Sequence, residues 1–564
     1  MASFVEVNQQ DPRYETLKKG FNLRWPPQGD PGASLIYVCK TAEEVALAAN
    51  DALGRGYRLT VRSGGHCYEG FVSNTLPEPG KKQLAIIDLG PMSGLEYDEK
   101  GLSHPNPEKV VYKFRIAAGS QNWNSYVDLY KQTGKALPGG SCYSVGVGGH
   151  ISGGGYGLSS RMQGLTVDWL SGVDILVPAP DGKSVVQKHV NRKSTNNDRL
   201  LFLSCCGGGG GNLGIITNYY FSELPDAPRE AYWLVLEFPW AEWDRVGKER
   251  FGNFLQAYWQ WFKTHDAEWD SPNPTKANGG LFVLGKFQHR SSGSVALAMQ
   301  YTGLDGTLND TNSQPLVDFV KTMTDAAGFK PLVGNSFIAP NIPAMNNPRG
   351  GQKADDALKD ALRLDWLPLT QLINGSGANQ RGKYKSSYQI GNFTDTEIDA
   401  LWNNLNNDDP VLTQSLVQID SYGGRMNDPN PAYNIENSVY QRRSLLKSQY
   451  QTYWAVSAGQ TPGEAAEIER KHIAWIRKIF KDVHKNQGGK PYEIEPNPRY
   501  EGCYISYPDI DMKYTDDDHK TVDPQWLRLY YGNKVDDLVK AKKAFDPHNI
   551  FHHEMSLPTS NPEK

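Results

Sequence analysis

The sequence predicts an α+β fold in two parts, a glycine-rich N-terminal domain and a second domain that combines strands with helices. Glycine runs next to strand-like segments dominate the first 225 residues. After residues 224–228 (LPDAP) these loops give way to alternating strand-like segments such as LFVLGKF, and residues 464–485 carry an amphipathic helical pattern. We therefore expect a domain boundary near residue 225.

Composition restricts the class of protein. The chain has 564 residues, of which 38% are hydrophobic and 22% charged, as in globular proteins with a sizeable core. A formal net charge of -4 without a basic cluster predicts no nucleic-acid partner, and the lack of about 18 consecutive apolar residues predicts no membrane span. We expect a cytoplasmic protein. A secreted one stays open if a signal peptide was removed, and the sequons at Asn309, Asn374 and Asn392 would then matter.

The first clear elements are a helix and a strand that lead to a histidine. Thr41 and Glu44 have the spacing of an N-terminal capping box, and Gly54 and Gly56 are typical of a helix end. Residues 41–56 are therefore predicted to form a helix. The segment RLTV then reads as a strand and runs straight into RSGGH. His66 is thus predicted to lie in a glycine turn directly after a strand.

A second glycine segment, residues 139–157, contains nine glycines, too many for a packed helix interior. Such a stretch allows backbone to approach another group closely, and it carries Cys142. A third run begins at residue 207, and residues 209–214 formally match GxGxxG, but a strand-like segment follows instead of the helix that a Rossmann site needs. The histidines near the C-terminus have no acidic or thiol ligand at metal-site spacing, so we predict no metal site.

His66 and Cys142 are ambiguous when taken singly. A histidine at a turn often serves only as a hydrogen-bonding residue, and a single cysteine often behaves as a small buried hydrophobe. The chain has six cysteines but no CxxC pair, so neither a disulfide framework nor a zinc finger accounts for them. Together with glycine loops whose N–H groups can hold a pyrophosphate, the two residues indicate a nucleotide cofactor with nucleophiles beside it.

Five sequence motifs, in the same order along the chain, indicate a family that this protein resembles. The chain resembles the berberine-bridge-enzyme-like branch of the vanillyl-alcohol oxidase (FAD_PCMH) superfamily. The blocks are RSGGHCYEGF, GGSCYSVGVGGHISGGGYG, GGGGGNLGIIT, EGCYISYPDID and the closing segment from YYGNKV to EMSLP. The resemblance implies FAD attached twice, from His66 to the 8α-methyl carbon and from Cys142 to C6 of the isoalloxazine. It further implies that cofactor contacts come from Arg62, Ser63, Gly64, Gly65, Val145, Gly146, Gly149, Gly154 and Ile216.

The resemblance also implies a domain plan. Residues 1–225 would form a PCMH-type FAD-binding domain, and residues 226–497 a substrate domain with an antiparallel sheet backed by helices. Residues 498–564 would return to the FAD-binding domain.

An alcohol oxidase needs a base for the hydroxyl proton. The family uses the second tyrosine of a YxNYxD block, which here reads YISYPD and points to Tyr507. On a strand, Tyr504 and Tyr507 would face opposite ways unless the backbone kinks. Tyr422, which shares a face with Asp420 by the strand period of two, is the predicted assisting residue.

The expected reaction is oxidation of an alcohol on a sugar, glycoside or polycyclic natural product, by hydride transfer to flavin N5 and release of hydrogen peroxide. Val145 resembles the small branched residue of relatives that react with molecular oxygen. The alternatives are oxidative cyclisation of an alkaloid-type or terpenoid-type phenol, and a flavin-dependent dehydrogenase. A non-catalytic flavin-binding or carbohydrate-binding protein is the remaining class.

Overall fold

The computed structural model describes residues 4–76, 83–335, 347–373, 380–457 and 459–563, so the sequon at Asn374 lies outside the described residues. Its strands are β1 Val5–Val7, β2 Leu35–Val38, β3 Arg58–Arg62, β4 Leu84–Asp88, β5 Leu95–Tyr97, β6 Phe114–Ala117, β7 Leu170–Pro178, β8 Val185–Asn191, β9 Ile215–Phe221, β10 Glu230–Pro239, β11 Leu281–Gln288, β12 Ser294–Tyr301, β13 Leu332–Val333, β14 Leu362–Asp365, β15 Arg381–Gln389, β16 Ser415–Ser421 and β17 Leu446–Trp454. Its α-helices are α1 Tyr14–Leu17, α2 Ala42–Gly54, α3 Asn122–Thr133, α4 Val147–Ser152, α5 Ser160–Gln163, α6 Thr166–Trp169, α7 Asn196–Cys205, α8 Trp240–Val246, α9 Lys248–Thr264, α10 Gln314–Ala327, α11 Ala357–Asp360, α12 Trp366–Leu372, α13 Asp395–Leu405, α14 Pro462–Val483, α15 Trp526–Tyr531 and α16 Val535–Phe545.

Two small sheets form the N-terminal part. The first has the order β1-β2-β4-β3, in which β2, β4 and β3 are parallel and β1 is antiparallel. The second is antiparallel, with the order β5-β6-β9-β7-β8. All nine strands come before residue 222, and the large sheet begins at Glu230.

The large sheet is antiparallel, with the order β13-β10-β12-β11-β16-β17-β15 and β14 paired to β10. Alternate residues of its strands face opposite sides. One face is apolar and packs with α9, α10, α13 and α14 in one core. The other face is turned toward the N-terminal part. Its residues in β10 and β12 join the N-terminal core, whereas β11, β16 and β17 carry polar residues there, as described below. The predicted α+β class, with an antiparallel sheet backed by helices, is confirmed.

The segment after the large sheet returns to the N-terminal part. Helix α16 packs against α7, and Phe551 forms a parallel bridge with Leu59 of β3. This agrees with the segment plan predicted for residues 498–564, while the domain limits themselves stay a prediction. No helix among the described residues is long and apolar enough to cross a bilayer.

Local predictions can be compared with these elements. The helix after Thr41 is confirmed, and the Thr41 side chain accepts a hydrogen bond from the Glu44 N–H. The glycine segment at 139–157 differs, because it contains the short helix α4 where we expected none. Packing explains the difference: a Cβ at Gly148 would lie 2.7 Å from the Ala118 carbonyl oxygen, so glycine lets this helix approach the chain beside it.

Candidate active site

A cavity of about 640 Å³ lies between the N-terminal loops, the C-terminal tail and the polar face of the large sheet. Its size falls within the range of about 300–1,000 Å³ that is typical of ligand sites. The glycine segments 63–66, 145–149 and 209–214 line one side, and residues from β11, β16 and β17 line the other. The cavity therefore has a glycine-rich wall opposite a wall of side chains.

His66 and Cys142 both line this cavity. The His66 ring stacks on Phe21 at 4.0 Å between centroids, and its Nε2 lies 3.0 Å from the Ser144 hydroxyl. Burial lowers the pKa of His66 to about 4, so the imidazole is neutral near pH 7. A neutral ring nitrogen is nucleophilic, whereas a protonated one is not.

Contact between two glycines brings the histidine and cysteine loops together. A Cβ at Gly64 would lie 2.2 Å from the Gly146 nitrogen and 2.8 Å from the Ser144 carbonyl oxygen. The backbones of the two loops thus touch directly. Only glycine at position 64 permits this contact, which fixes the relative position of His66 and Cys142.

We expect Gly64→Ala to lower the free energy of unfolding by about 3 kcal/mol or more, because the new methyl group meets backbone atoms that cannot move aside. Chemical denaturation measures this loss. Gly149→Ala is the matched control, since a Cβ there meets nothing within 4 Å. It should leave stability nearly unchanged and lower flavin content, because Gly149 lines the cavity. Equal stabilities for the two variants would contradict the tight contact.

The other predicted cofactor residues fall into two groups. Those that line the cavity are Arg62, Ser63, Gly64, Gly65, Val145, Gly146, Gly149 and Ile216. Gly154 is absent from the lining, and a Cβ there would lie 3.0 Å from the Val439 side chain. Its expected contact with the cofactor is therefore not supported, because it packs against another segment of the protein.

The side chains of Arg62 and Ser63 also require a correction. The Arg62 guanidinium donates to Asp88 from Nε at 2.8 Å, and Ser63 Oγ donates to the Ala118 carbonyl at 2.6 Å. These polar groups are engaged within the protein, so the two side chains are not available to the cofactor, while the predicted contact of Arg62 and Ser63 with the cofactor stays a prediction. Any contact from this turn would come from its backbone.

The polar face of the large sheet forms the opposite wall. From β11 come Leu284, Lys286 and Gln288, from β16 Leu416, Gln418 and Asp420, and from β17 Gln449, Gln451 and Tyr453. Strand register aligns Lys286 with Gln418 and Gln418 with Gln449, so these side chains form a row across the sheet. The Gln451 amide donates to Gln449 Oε1 at 2.7 Å, and the Tyr453 hydroxyl donates to Gln451 Oε1 at 2.8 Å.

Asp420 and Lys447 form an ion pair across β16 and β17. The two residues are register partners, with Lys447 Nζ 3.3 Å from Asp420 Oδ2. Lys447 Nζ also donates to the Tyr507 hydroxyl at 3.5 Å and lies 4.5 Å from the centre of its ring. Burial raises the pKa of Asp420, while Lys447 acts in the opposite direction. Acid, ammonium and phenol thus form one connected group at the cavity.

Tyr507 lies where the sequence places it, at the cavity. The segment is a turn instead of a strand, with the Tyr507 N–H donating to the Tyr504 carbonyl at 2.9 Å. The two rings therefore meet edge to face at 4.9 Å. Burial raises the pKa of the Tyr507 phenol, so on its own it loses its proton less readily and less of it is present as the phenolate near neutral pH.

Tyr422 is placed differently from the prediction. It is fully buried, does not line the cavity, and its hydroxyl donates to the Gln441 carbonyl at 3.0 Å. Strand β16 ends at Ser421, so the period of two that aligned Tyr422 with Asp420 stops before it. Its predicted assisting role is not supported, because its hydroxyl is engaged inside the core.

Sequence reasoning missed Lys286 and Lys447, and it weighed Asp420 only as a neighbour of Tyr422. Lys286 lines the cavity, and burial lowers its pKa. Alternation along LFVLGKFQ and SLVQID indicates which residues share a face. The pairing of Asp420 with Lys447 depends on a register between two strands that the sequence alone does not give.

The cavity residues fit the FAD that the resemblance implies. Glycines on one wall leave room for a long ligand, as at Gly149, where a Cβ would meet nothing within 4 Å. A neutral imidazole and a thiol face the same space. The chemistry of these groups suits a tethered flavin.

Comparison with known proteins agrees with this site. The profile described as FAD binding domain matches residues 33–186, and that described as berberine and berberine like matches residues 503–558. The chain is 33% identical to hexose oxidase from Chondrus crispus, over 99% of this chain and 96% of the relative. It is 30% identical to aclacinomycin-N/aclacinomycin-A oxidase from Streptomyces galilaeus, over 98% and 90% of the two chains. The structure of a glycopeptide hexose oxidase complexed with teicoplanin matches with a TM-score of 0.77 and 28% identity over 99% of each chain.

Proposed function

Because the chain belongs to the berberine-bridge-enzyme-like family of FAD-linked oxidoreductases, we propose that it oxidises an alcohol group of a sugar, glycoside or glycosylated natural product. The observation that carries the proposal is the polar, glutamine-rich wall that continues from Asp420 and Tyr507. The relatives named hexose oxidase and glycopeptide hexose oxidase support a sugar as the reacting part of the substrate.

His66 and Cys142 would attach the cofactor at two positions. Their loops are in direct backbone contact through Gly64 and Gly146, so two bonds would hold the ring system in one orientation. When bound, FAD supplies a two-electron acceptor at N5, and oxygen restores its oxidised form with release of hydrogen peroxide. The protein supplies the position of the substrate and a path for its proton.

Tyr507 would take the hydroxyl proton from the substrate, with Asp420 and Lys447 behind it. Lys447 contacts both groups, and its charged form, which burial disfavours and Asp420 favours, would stabilise a phenolate at Tyr507 and a carboxylate at Asp420. The raised pKa of Asp420 makes this carboxylate a stronger base than an exposed one. The phenol therefore acts as a member of a group instead of alone.

The glutamine wall suits a substrate with many hydroxyl groups. Each glutamine amide has both N–H donors and an acceptor oxygen. Gln418, Gln449 and Gln451 can therefore donate hydrogen bonds to hydroxyl groups or accept hydrogen bonds from them. Tyr384 and Tyr453 add aromatic surface beside them. This combination favours a sugar ring over a mainly apolar phenol. Val145, which also lines the cavity, supports oxygen as the acceptor through its resemblance to oxygen-reactive relatives.

The test is peroxide release from a panel of monosaccharides, oligosaccharides, glycosides and phenolic alcohols. We expect peroxide with at least one saccharide or glycoside, together with a product lighter by two hydrogens. A ring-closed phenolic product would favour cyclisation instead. Turnover with an artificial electron acceptor but not with oxygen would identify a dehydrogenase, and no turnover at all would contradict the proposal.

We expect Asp420→Asn to change the pH dependence of substrate-driven flavin reduction. Since protonation of Asp420 removes the carboxylate from the group behind Tyr507, the wild-type rate should fall on the acid side, through a pKa above the usual value of about 3.9 for aspartate. In Asp420→Asn the rate of flavin reduction should be low and should no longer fall at acid pH. Asp420→Glu should restore part of the rate. Asp518→Asn, at an exposed position, is the control. An unchanged acid limb in Asp420→Asn would assign that limb to another group.

A further inference from the structure

Outside the cavity, His104, Asp174 and His189 form a cluster on the antiparallel N-terminal sheet. His104 lies in the loop between β5 and β6, Asp174 in β7 and His189 in β8. His104 Nε2 lies 3.3 Å and His189 Nδ1 2.8 Å from the same oxygen, Asp174 Oδ1. All three potential ligand atoms lie within 4.8 Å of one another. The side chains are 14%, 5% and 11% exposed.

A β-bulge turns Asp174 away from the cavity. Asp174 pairs with Asn218, whereas the next residue, Ile175, pairs with Ile216, which leaves Thr217 as an extra residue. Ile175 and Ile216 line the cavity, so Asp174 faces the opposite side of the sheet. Bulges next to functional sites commonly re-aim a side chain. The cluster is thus separate from the active site but directly behind its wall.

The outer atoms of Asp174 and His189 are held in place by the protein. Asp174 Oδ2 accepts from the Tyr220 hydroxyl at 2.6 Å and from the Asn218 amide at 3.1 Å. His189 Nε2 lies 2.8 Å from the Tyr112 hydroxyl. Protein metal sites show this pattern, in which partners behind the ligands fix their orientation. The remaining atoms, Asp174 Oδ1 and His189 Nδ1, lie on the side of His104.

Although the sequence predicts no metal site, we propose that His104, Asp174 and His189 bind one divalent cation of the zinc type. Zn²⁺ bonds of about 2.0–2.1 Å in tetrahedral geometry place ligand atoms about 3.3 Å apart, close to the spacing seen here. Two imidazoles and one carboxylate suit a cation of intermediate softness, and water would complete the coordination. His104 contacts Asp174 through Nε2, while its Nδ1 has no hydrogen-bond partner, so the protein holds this ring less firmly than His189. By binding His104 together with Asp174 and His189, the cation would hold the loop between β5 and β6 against strands β7 and β8.

The competing account is a set of hydrogen bonds in which both histidines donate to Asp174. The metal content of the protein distinguishes a bound cation from this hydrogen-bonded cluster. The purified holoenzyme is dialysed against a chelator and then equilibrated with buffered Zn²⁺, and bound zinc is measured by elemental mass spectrometry. We expect about one zinc per chain and a melting temperature that rises with zinc. His104→Ala and His189→Gln should each weaken binding by more than tenfold, since even loss of an outer partner weakens metal binding by about 10–100-fold.

His548→Ala is the control, because this exposed histidine lies outside the cluster and the cavity. It should bind zinc like the wild type. His104 lies in a loop, so its variant is expected to fold, and an unchanged flavin spectrum checks this. Failure of the wild type to take up stoichiometric zinc would overturn the proposal, and so would equal zinc affinity in the wild type and both cluster variants. Neither result bears on the oxidase activity, so this test is independent of the proposed function.

Discussion

Tyr507→Phe is expected to slow substrate-driven flavin reduction by about 10²–10⁴-fold, the usual contribution of a positioned acid–base group. The hydroxyl that Lys447 contacts at 3.5 Å disappears, while the ring and its packing against Tyr504 remain. Substrate binding and the flavin spectrum should therefore change little. Anaerobic stopped-flow absorbance measures the rate of bleaching directly.

Tyr422→Phe is the matched control for this variant. It also removes one buried tyrosine hydroxyl, but at a site away from the cavity. Loss of the bond to the Gln441 carbonyl should cost about 1 kcal/mol of stability and leave the reduction rate near that of the wild type. Equal rates in Tyr507→Phe and the wild type would assign the base to another group, with Asp420 the nearest candidate.

Release of flavin on denaturation is expected only from the double variant His66→Ala/Cys142→Ala. Each proposed bond is sufficient to keep the cofactor on the chain, so the unmutated protein and both single variants should stay yellow after acid precipitation. Absorbance of the pellet and supernatant measures the retained and released fractions. Mass spectrometry of flavin-bearing peptides would then identify the residue that remains attached in each single variant.

A colourless pellet from unmutated protein would contradict both attachments at once. Loss of flavin from one single variant alone would leave a single bond, at the residue mutated in that variant. His150→Ala is a useful control, because His150 lines the same cavity and is not a proposed attachment site. It should keep its flavin through denaturation.

Local signals predicted the N-terminal part of the fold well. The Thr41 cap and the strand before RSGGH depend on neighbouring residues, and both are present in the structure. The two nucleophiles were predicted from glycine turns and a family resemblance, and the structure places both at one cavity. Their covalent role stays a prediction.

The remaining features of the site depend on contacts between distant segments. Lys447 meets Asp420 only because β16 and β17 pair in one register, which a single sequence does not specify. The side chain of Arg62 turns to Asp88, and Tyr422 lies beyond the end of its strand. Each of these outcomes depends on a partner that packs from elsewhere in the chain.

The closure of the cavity by the C-terminal tail has a consequence for biosynthesis. Phe551, His552, His553 and Met555 line the same space as the loop of His66, and Phe551 pairs with β3. These residues are translated after the whole of the large sheet. The early loops can therefore form on the ribosome, but the complete binding space cannot. Maturation with flavin is thus expected to follow synthesis of the tail, and nascent chains that stop short of it should accumulate without pigment.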